Sequence, residues 1–338
     1  MQSDPSFIDM RRLISGFSIS MAISAVADLG IADHLADGPK TAANLARLCG
    51  ADEQLLRRVL KYLASEGVFE DQSSDVFALT EKSAWLRSDV PGSMGPRAVF
   101  IGSELNWMAW GKLLQAIKTG TSGVEAAFHE CIFDYLGSHP EAGSLFNRYM
   151  AQQTATSVGA IIAAYGFTGV RRIVDVGGGH GALVAGVLQT YPDLQGVLFD
   201  RPEVVANADD FLKASGVADR CKIVAGDFFE NAPADADLYA LKYILHDWSD
   251  ADCVRILRNC QEAMVPGGRV LVIEHVIPDH SGPDFSRFLD IHMLVLTSGG
   301  RERNRKEFTE LLAAAGLQLK RMVPTSIGLF ALECVSAG

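Results

Sequence analysis

The chain reads as an α/β protein: a mostly parallel sheet finished by an antiparallel C-terminal hairpin, preceded by an all-helical amino-terminal region with a winged-helix pattern. Three observations predict it. Residues 172–200 place a glycine-rich loop and an apolar helix pattern between two apolar runs. Three more apolar runs begin near residues 221, 237 and 269, and residues 41–79 read helix, helix, hairpin.

In chain order, the first element is the apolar segment from Leu13 to Ile31. Ser15, Ser18, Ser20, Ser24, Asp28 and two glycines interrupt it, so it is expected to be an interface or core helix rather than a membrane span. Thr41 can cap a helix through Leu48, and Asp52 a second that runs to Glu66 and stops at Gly67. Val68-Phe69 and Val76 to Leu79 then make a short hairpin around Asp71 to Ser74. This is the outline of a winged helix-turn-helix, and its second helix carries Arg57, Arg58 and Lys61. Yet residues 1–97 hold 10 basic and 13 acidic side chains, a net of −3, and the wing carries Glu70, Asp71 and Asp75. DNA binding needs a basic face that makes several phosphate contacts. A dimerisation platform is therefore expected here, not a DNA reader.

The glycine loop is the most informative stretch. Ile173, Val174 and Val176 lead into Gly177, Gly178, Gly179 and Gly181; the next apolar run, Gly196 to Phe199, ends in Asp200, 25 residues beyond Asp175. Strand, tight loop, helix and strand form one βαβ unit with a carboxylate at the second strand's carboxyl edge. Glycine lets the backbone turn sharply and lets a ligand come close. Asp200 can accept hydrogen bonds from both hydroxyls of a ribose, so a nucleoside-containing cofactor is expected. Gly177, Gly179 and Ala182 satisfy the dinucleotide pattern G-x-G-x-x-A. Asp175, Gly177, Gly179 and Gly181 equally satisfy the D-x-G-x-G-x-G form used for S-adenosylmethionine. The loop alone leaves both open.

The downstream sequence chooses. Residues 221–228 form a third strand ending in Asp227-Phe228, where the carboxylate can accept from an adenine amino group and the ring can pack on its face. Residues 237–248 supply a fourth strand and put His246 just past its carboxyl end; residues 269–277 are a fifth, after the Pro266-Gly267-Gly268 turn. The runs LQLKRMVP and LFALECV, separated by Thr325 to Gly328, close the chain as a hairpin. A dinucleotide domain has no need of that hairpin, whereas a methyltransferase sheet has it as an antiparallel edge.

Composition agrees. A chain of 338 residues, 48% of them apolar, is long enough for two ordered domains with ample cores. A net charge of −11 repels phosphate backbones and anionic membranes, which leaves small molecules as the expected partners. The six cysteines include no C-x-x-C pair and read as reduced thiols, and no signal peptide is apparent, so a cytoplasmic protein is expected.

The motifs DVGGGHG, FDRPEVV, GDFF, LKYILHDWSD, VIEHVIP and GGRERNRKEF stand in this order along the chain. Together they resemble the class I S-adenosylmethionine-dependent O-methyltransferases of the caffeate/hydroxyindole type, strongly from Phe146 onward and more loosely before it. The resemblance implies a helical winged-helix dimerisation domain at 1–97, a helical connector contributing to the substrate pocket at 98–165, and a Rossmann-like catalytic domain at 166–338. It implies S-adenosyl-L-methionine as cofactor, held by Gly177, Gly179, Asp200, Asp227 and Phe228, with Lys242 near the adenosine and Thr154 at the methionine part. Trp107, Trp110, Met150, His292 and Met293 correspond to or neighbour family substrate positions. Methionine and aromatic faces clamp a flat ring, so the acceptor implied is an aromatic small molecule bearing a phenolic hydroxyl. The stretch 100–135 departs from the plant pattern and leaves the particular acceptor open. A homodimer is implied, with neither nucleic acid nor membrane as partner.

Methyl transfer sets modest demands. The sulfonium is already a strong electrophile, so the protein must orient an oxygen and remove its proton. Among eight histidines, His246 alone combines a strand end, a following acid (Asp247), Trp248 and a helix start at Ser249-Asp250, and it matches the family's catalytic histidine. By the same match Glu274 and Glu302 flank the imidazole, fixing its tautomer and stabilising the imidazolium. No carboxylate cluster suited to magnesium stands beside the acceptor, so no metal is expected. Two other readings stay open: a relative that uses the cofactor for hydroxylation or decarboxylation, against which retention of His246, Glu274 and Glu302 speaks, and the winged-helix regulator.

Overall fold

The computed structural model describes residues 4–73, 75–206 and 208–337. The chain forms two compact units, Met1–Trp107 with Leu136–Gln152, and Met108–Tyr135 with Gln153–Gly338. The stretch 98–165 is thus shared between them.

In the first unit, the segment 13–31 is not one helix. Helices Pro5–Ile14 and Gly16–Asp28 meet at Ser15, whose carbonyl is taken by the Ser18 hydroxyl (2.7 Å), and Gly30 (φ +63°) opens a further short helix, Ile31–His34. The capped helices form as expected: Thr41 Oγ1 accepts from the Asn44 N–H at the start of Ala42–Cys49, and Asp52 from the Leu55 N–H at the start of Glu53–Ser65. Strands Phe69–Ser73 and Val76–Leu79 pair antiparallel, and Lys40–Thr41 adds a third strand beside Val76–Leu79; Ser74, in the expected turn, lies outside the described residues. Ile31, Leu45, Leu60, Leu63 and Phe77 are fully buried in this unit's core. Helix Pro5–Ile14 buries none of its residues, and its Phe7, Ile8, Met10, Leu13 and Ile14 are exposed.

The second unit carries a seven-stranded sheet: β1 (Arg172–Val176), β2 (Gln195–Asp200), β3 (Cys221–Ala225), β4 (Ala236–Lys242), β5 (Met264–Glu274), β6 (Leu317–Pro324) and β7 (Phe330–Ser336). Their order is β6-β7-β5-β4-β1-β2-β3. Neighbours among β1 to β5 run parallel; β7 is antiparallel to β5, and β6 to β7. Helices cover both faces, so the central strands are apolar nearly throughout. Val184, Val187 and Leu188 of helix Ala182–Thr190 pack on one face; Ile256 and Leu257 of Asp250–Ala263, with Phe308 and Leu312 of Arg305–Ala314, pack on the other.

Strand order reverses between β1 and β4, which opens a crevice at the carboxyl ends of the strands. Two boundaries differ from expectation. β3 stops at Ala225, because Gly226 turns and donates its N–H to the Asp200 carbonyl (3.0 Å), leaving Asp227 and Phe228 in the turn beyond. β5 begins at Met264 and absorbs Pro266-Gly267-Gly268 as a kink, with Gly267 at φ +80° and a register shift opposite Ala236 to Leu238. No helix among the described residues is long and apolar enough to cross a membrane, and all six cysteines are free thiols.

Candidate active site

The loop after β1 takes its shape from glycine. Gly177, Gly179 and Gly181 have φ of +66°, +60° and +87°, the left-handed region that side chains disfavour, and a Cβ on Gly177 would run into Ile244 Cδ1. Asp200, at the end of β2, accepts the Gly179 N–H (2.8 Å) and its neighbour Arg201's N–H (2.7 Å), so the acidic strand end and the loop are already joined; burial pushes its carboxyl above the usual range. Asp227 accepts from the Phe229 N–H (2.8 Å), and the Phe228 ring stands edge-on to Phe229 and Trp248. Lys242, the last residue of β4, is buried, and its Nζ donates to Thr154 Oγ1 (3.1 Å). That bond joins two residues which the resemblance assigns to different parts of the cofactor. Burial brings the Lys242 ammonium down to about 8, partly opposed by Asp175 and Glu274.

His246 lies on a 3-10 turn, Leu245–Asp247, just past β4. Its Nδ1 is 2.7 Å from Glu302 Oε1 and 3.6 Å from Glu274 Oε2, while Nε2 is 3.6 Å from Asp247 Oδ1. The other Glu274 oxygen accepts the backbone N–H groups of both Ile244 and Leu245 (3.0 Å each), so one buried carboxylate fixes the turn and faces the ring. Burial disfavours a charged imidazole, but the carboxylates of Glu274, Asp247 and Glu302 outweigh it and raise the pKa to about 10. Burial likewise raises Glu274 to about 7, with His246 opposing. The carboxylate oxygens Glu274 Oε2 and Glu302 Oε2 are buried without a hydrogen-bond partner, which leaves their charge to act on the imidazole.

Sequence reasoning missed Arg303. It is almost wholly buried (1% exposed); Nε and Nη2 hold Asp250 Oδ1 (2.9 and 2.6 Å), Nη1 the carbonyl of Leu245 (2.9 Å), and Nη2 that of Trp248 (3.0 Å). It clasps the turn bearing His246 from both sides. The approach is close: a Cβ on Gly300 would lie 2.5 Å from the His246 carbonyl, which accepts the Arg301 N–H at 2.8 Å.

Of the acceptor-side residues, Trp110, His292 and Met293 fall in the second unit. His292 is buried; its Nδ1 accepts from Trp110 Nε1 (3.2 Å), and its ring stacks near those of Trp110 (6.0 Å) and Phe288 (5.6 Å). An indole N–H only donates, so Nδ1 carries no proton and the imidazole is the neutral Nε2–H tautomer. Met293 is buried one residue further along the same helix. Trp107 and Met150 belong to the first unit, where Trp107 packs against Phe17 at 5.8 Å.

A glycine-loop crevice at the switch point of a parallel sheet that ends in an antiparallel edge is the architecture of a class I S-adenosylmethionine-dependent methyltransferase. The chain matches an O-methyltransferase domain over residues 110–318 and an O-methyltransferase dimerisation domain over 11–89, and it belongs to that family. It is 42% identical to a phenazine O-methyltransferase of Lysobacter antibioticus, over 95% of this chain and 94% of that protein. It is 40% identical to the mitomycin biosynthesis 6-O-methyltransferase of Streptomyces lavendulae, over 94% and 90%. Among solved structures, an O-methyltransferase from neocarzinostatin biosynthesis, in complex with S-adenosyl-L-homocysteine and 1,4-dihydroxy-2-naphthoic acid, superposes with a TM-score of 0.83 at 32% identity. That match covers 96% of this chain and 98% of the other. The protein is an S-adenosylmethionine-dependent O-methyltransferase.

Proposed function

We propose that the enzyme methylates a phenolic hydroxyl of an aromatic small molecule, with His246 as general base and Glu302 and Glu274 as its orienting carboxylates. One observation carries this reading: Nδ1 is held by Glu302 at 2.7 Å, which leaves Nε2 as the nitrogen that meets the acceptor's proton. The cofactor, when bound, supplies an electrophilic methyl. The chain supplies orientation and proton removal. As the phenol's proton reaches Nε2, the positive charge that forms on the ring is stabilised by two buried carboxylates. The names of the relatives, a phenazine O-methyltransferase and a mitomycin biosynthesis 6-O-methyltransferase, and the naphthoic acid in the solved complex support an aromatic acceptor. Trp107, Trp110, Met150, His292 and Met293 are the residues we assign to it. Incubation with methyl-labelled S-adenosylmethionine and a panel of phenols tests reaction and acceptor together. Label in the methyl group of an aryl methyl ether is expected, and label recovered only on amine nitrogen or in no product would end the phenol reading.

Gly177, Gly179, Asp200, Asp227 and Phe228 are assigned to the adenosine end of the cofactor. Lys242 is assigned near the adenosine and Thr154 to the methionine part, and the hydrogen bond between them supports their lining one crevice. Asp200→Ala should weaken cofactor binding by about 1.5–3 kcal/mol, the range for charge-assisted hydrogen bonds. Calorimetry that finds an unchanged affinity removes Asp200 from the ribose site.

His246, Glu274 and Glu302 bring ligand atoms within 4.8 Å of one another, close enough to enclose a cation. We read them as a hydrogen-bonded base instead, since Nδ1 already meets Glu302 directly. Methyl transfer should then survive EDTA undiminished. Loss of activity that magnesium or zinc restores would refute this.

A homodimer follows from the dimerisation domain and from helix Pro5–Ile14, whose apolar side chains find no cover among the described residues. Light scattering at micromolar concentration should give twice the chain's mass. Two of the three basic side chains of the second capped helix, Lys61 and Arg57, lie 2.7 and 3.0 Å from Asp75, which offsets their charge toward DNA, in keeping with a small-molecule enzyme. We read the enzyme as cytoplasmic, and the division at 97 and 165 as the functional one.

A further inference from the structure

Between β4 and the turn that carries His246 stands Tyr243, and its backbone is unusual. Its φ is +56°, a left-handed conformation costly for a large aromatic side chain. Such an outlier persists only when its surroundings fix it. Here they do. The Tyr243 N–H donates to the Ile273 carbonyl (3.2 Å), and its hydroxyl lies 3.3 Å from His275 Nε2. His275 Nδ1 is 3.1 Å from the Gly328 carbonyl, which can only accept; Nδ1 therefore carries the proton, and Nε2 accepts from the tyrosine. The Lys242 ammonium stands 4.2 Å from the centre of the Tyr243 ring. The ring held in this way is stacked on the imidazole of His246, with centroids 5.3 Å apart and planes 22° apart.

A single hydrogen bond from Nδ1 to Glu302 fixes one edge of an imidazole but leaves the ring free to swing about that bond. A flat surface against its face removes the swing. We propose that Tyr243 is a positioning residue for the methyl transfer, its backbone held left-handed so that its ring sets the plane of the His246 imidazole and aims Nε2 at the acceptor. The inference rests on the reading of His246 as base. Tyr243 touches the base and is not itself asked to move a proton.

The backbone supplies the test. Asparagine tolerates the left-handed region far better than tyrosine and has no ring, so Tyr243→Asn relieves the backbone while removing the stacking face. A structural tyrosine would show a lower melting temperature and unaltered chemistry. A positioning tyrosine should show a melting temperature equal to or above the parent's and cofactor affinity within about twofold. Its kcat should fall about 10–100-fold with little change in KM, as misplacing a reacting group by a fraction of an ångström does. Tyr243→Phe keeps the face and should recover most of kcat. The loss should shrink for acceptors already ionised at the assay pH, because these need no base. Should Y243N melt below the parent, Tyr243→Leu, which keeps apolar bulk without a flat face, carries the same expectation for kcat. Full turnover in Y243N or Y243L, or an equal loss with ionised acceptors, overturns the inference. His246→Ala run beside them separates the two readings. If H246A is slow and Y243N is not, only the role of Tyr243 falls; if H246A turns over normally, the base assignment falls first.

Discussion

His246→Ala is expected to bind S-adenosylmethionine as the parent does and to turn over about 10²–10⁴-fold more slowly. The variant keeps the glycine loop, Asp200 and Asp227, and it loses only the group that takes the proton. Single-turnover rates beside calorimetric cofactor affinities measure the split. The pH dependence follows from the same carboxylates. Because they raise the imidazole's pKa to about 10, the base is largely charged at neutral pH, and kcat/KM of the parent should climb with pH toward that value. The contribution of the same group to stability runs the other way. Its folded pKa lies above the ordinary value of 6.5, so the ion pair with Glu302 stabilises fully below about pH 6.5 and its contribution is lost as pH rises through about 10. Glu302→Gln should move the rising limb of the rate profile toward neutral pH. A flat profile in the parent, or full turnover in H246A, would remove His246 from proton transfer.

The parts of the fold legible in the sequence are those with local rules. Thr41 and Asp52 cap their helices because a short oxygen-bearing side chain meets free N–H groups two or three residues on, a relation that needs no tertiary context. The central strands announce themselves because burial on both faces forces continuous apolar runs. Of the misread boundaries, one has a long-range cause and one a local cause. β3 ends early through a bond from Gly226 to the Asp200 carbonyl on its neighbour, and the apolar stretch at 13–31 breaks where the Ser18 hydroxyl captures the Ser15 carbonyl.

The candidate site divides in the same way. His246 and Glu274 sit at strand ends, and strand ends are visible. Glu302 could have been read as a solvated charge between two arginines, yet it is 1% exposed and bonded to the base. Arg303 is its hidden counterpart. Nothing in GGRERNRKEF distinguishes it from Arg301, which is nearly half exposed, because only the folded chain brings Leu245, Trp248 and Asp250 around one of the two. Tyr243 is harder still: its left-handed backbone is imposed by β5 and the Gly328 turn, far away in sequence.

Arg303→Leu should destabilise the second unit by about 2–4 kcal/mol, chiefly because two interior carbonyls each lose a donor. The substitution keeps some apolar volume but removes every donor, so the carbonyls of Leu245 and Trp248 lose a partner in the interior, each at about 1–3 kcal/mol. Asp250 is more than half exposed and rehydrates, which limits the loss on its side. Arg303→Lys keeps the charge but cannot place donors on Asp250 and two carbonyls at once, so an intermediate loss is expected. Urea denaturation followed by tryptophan fluorescence measures both, as a shift in midpoint at constant slope. Because the clasped carbonyls flank His246 in sequence, the folded fraction of Arg303→Leu should also have a lower kcat than its cofactor affinity would suggest. A variant as stable as the parent would mean that water replaces the guanidinium at the turn, and Arg303 would then be a spectator of the site rather than its clasp.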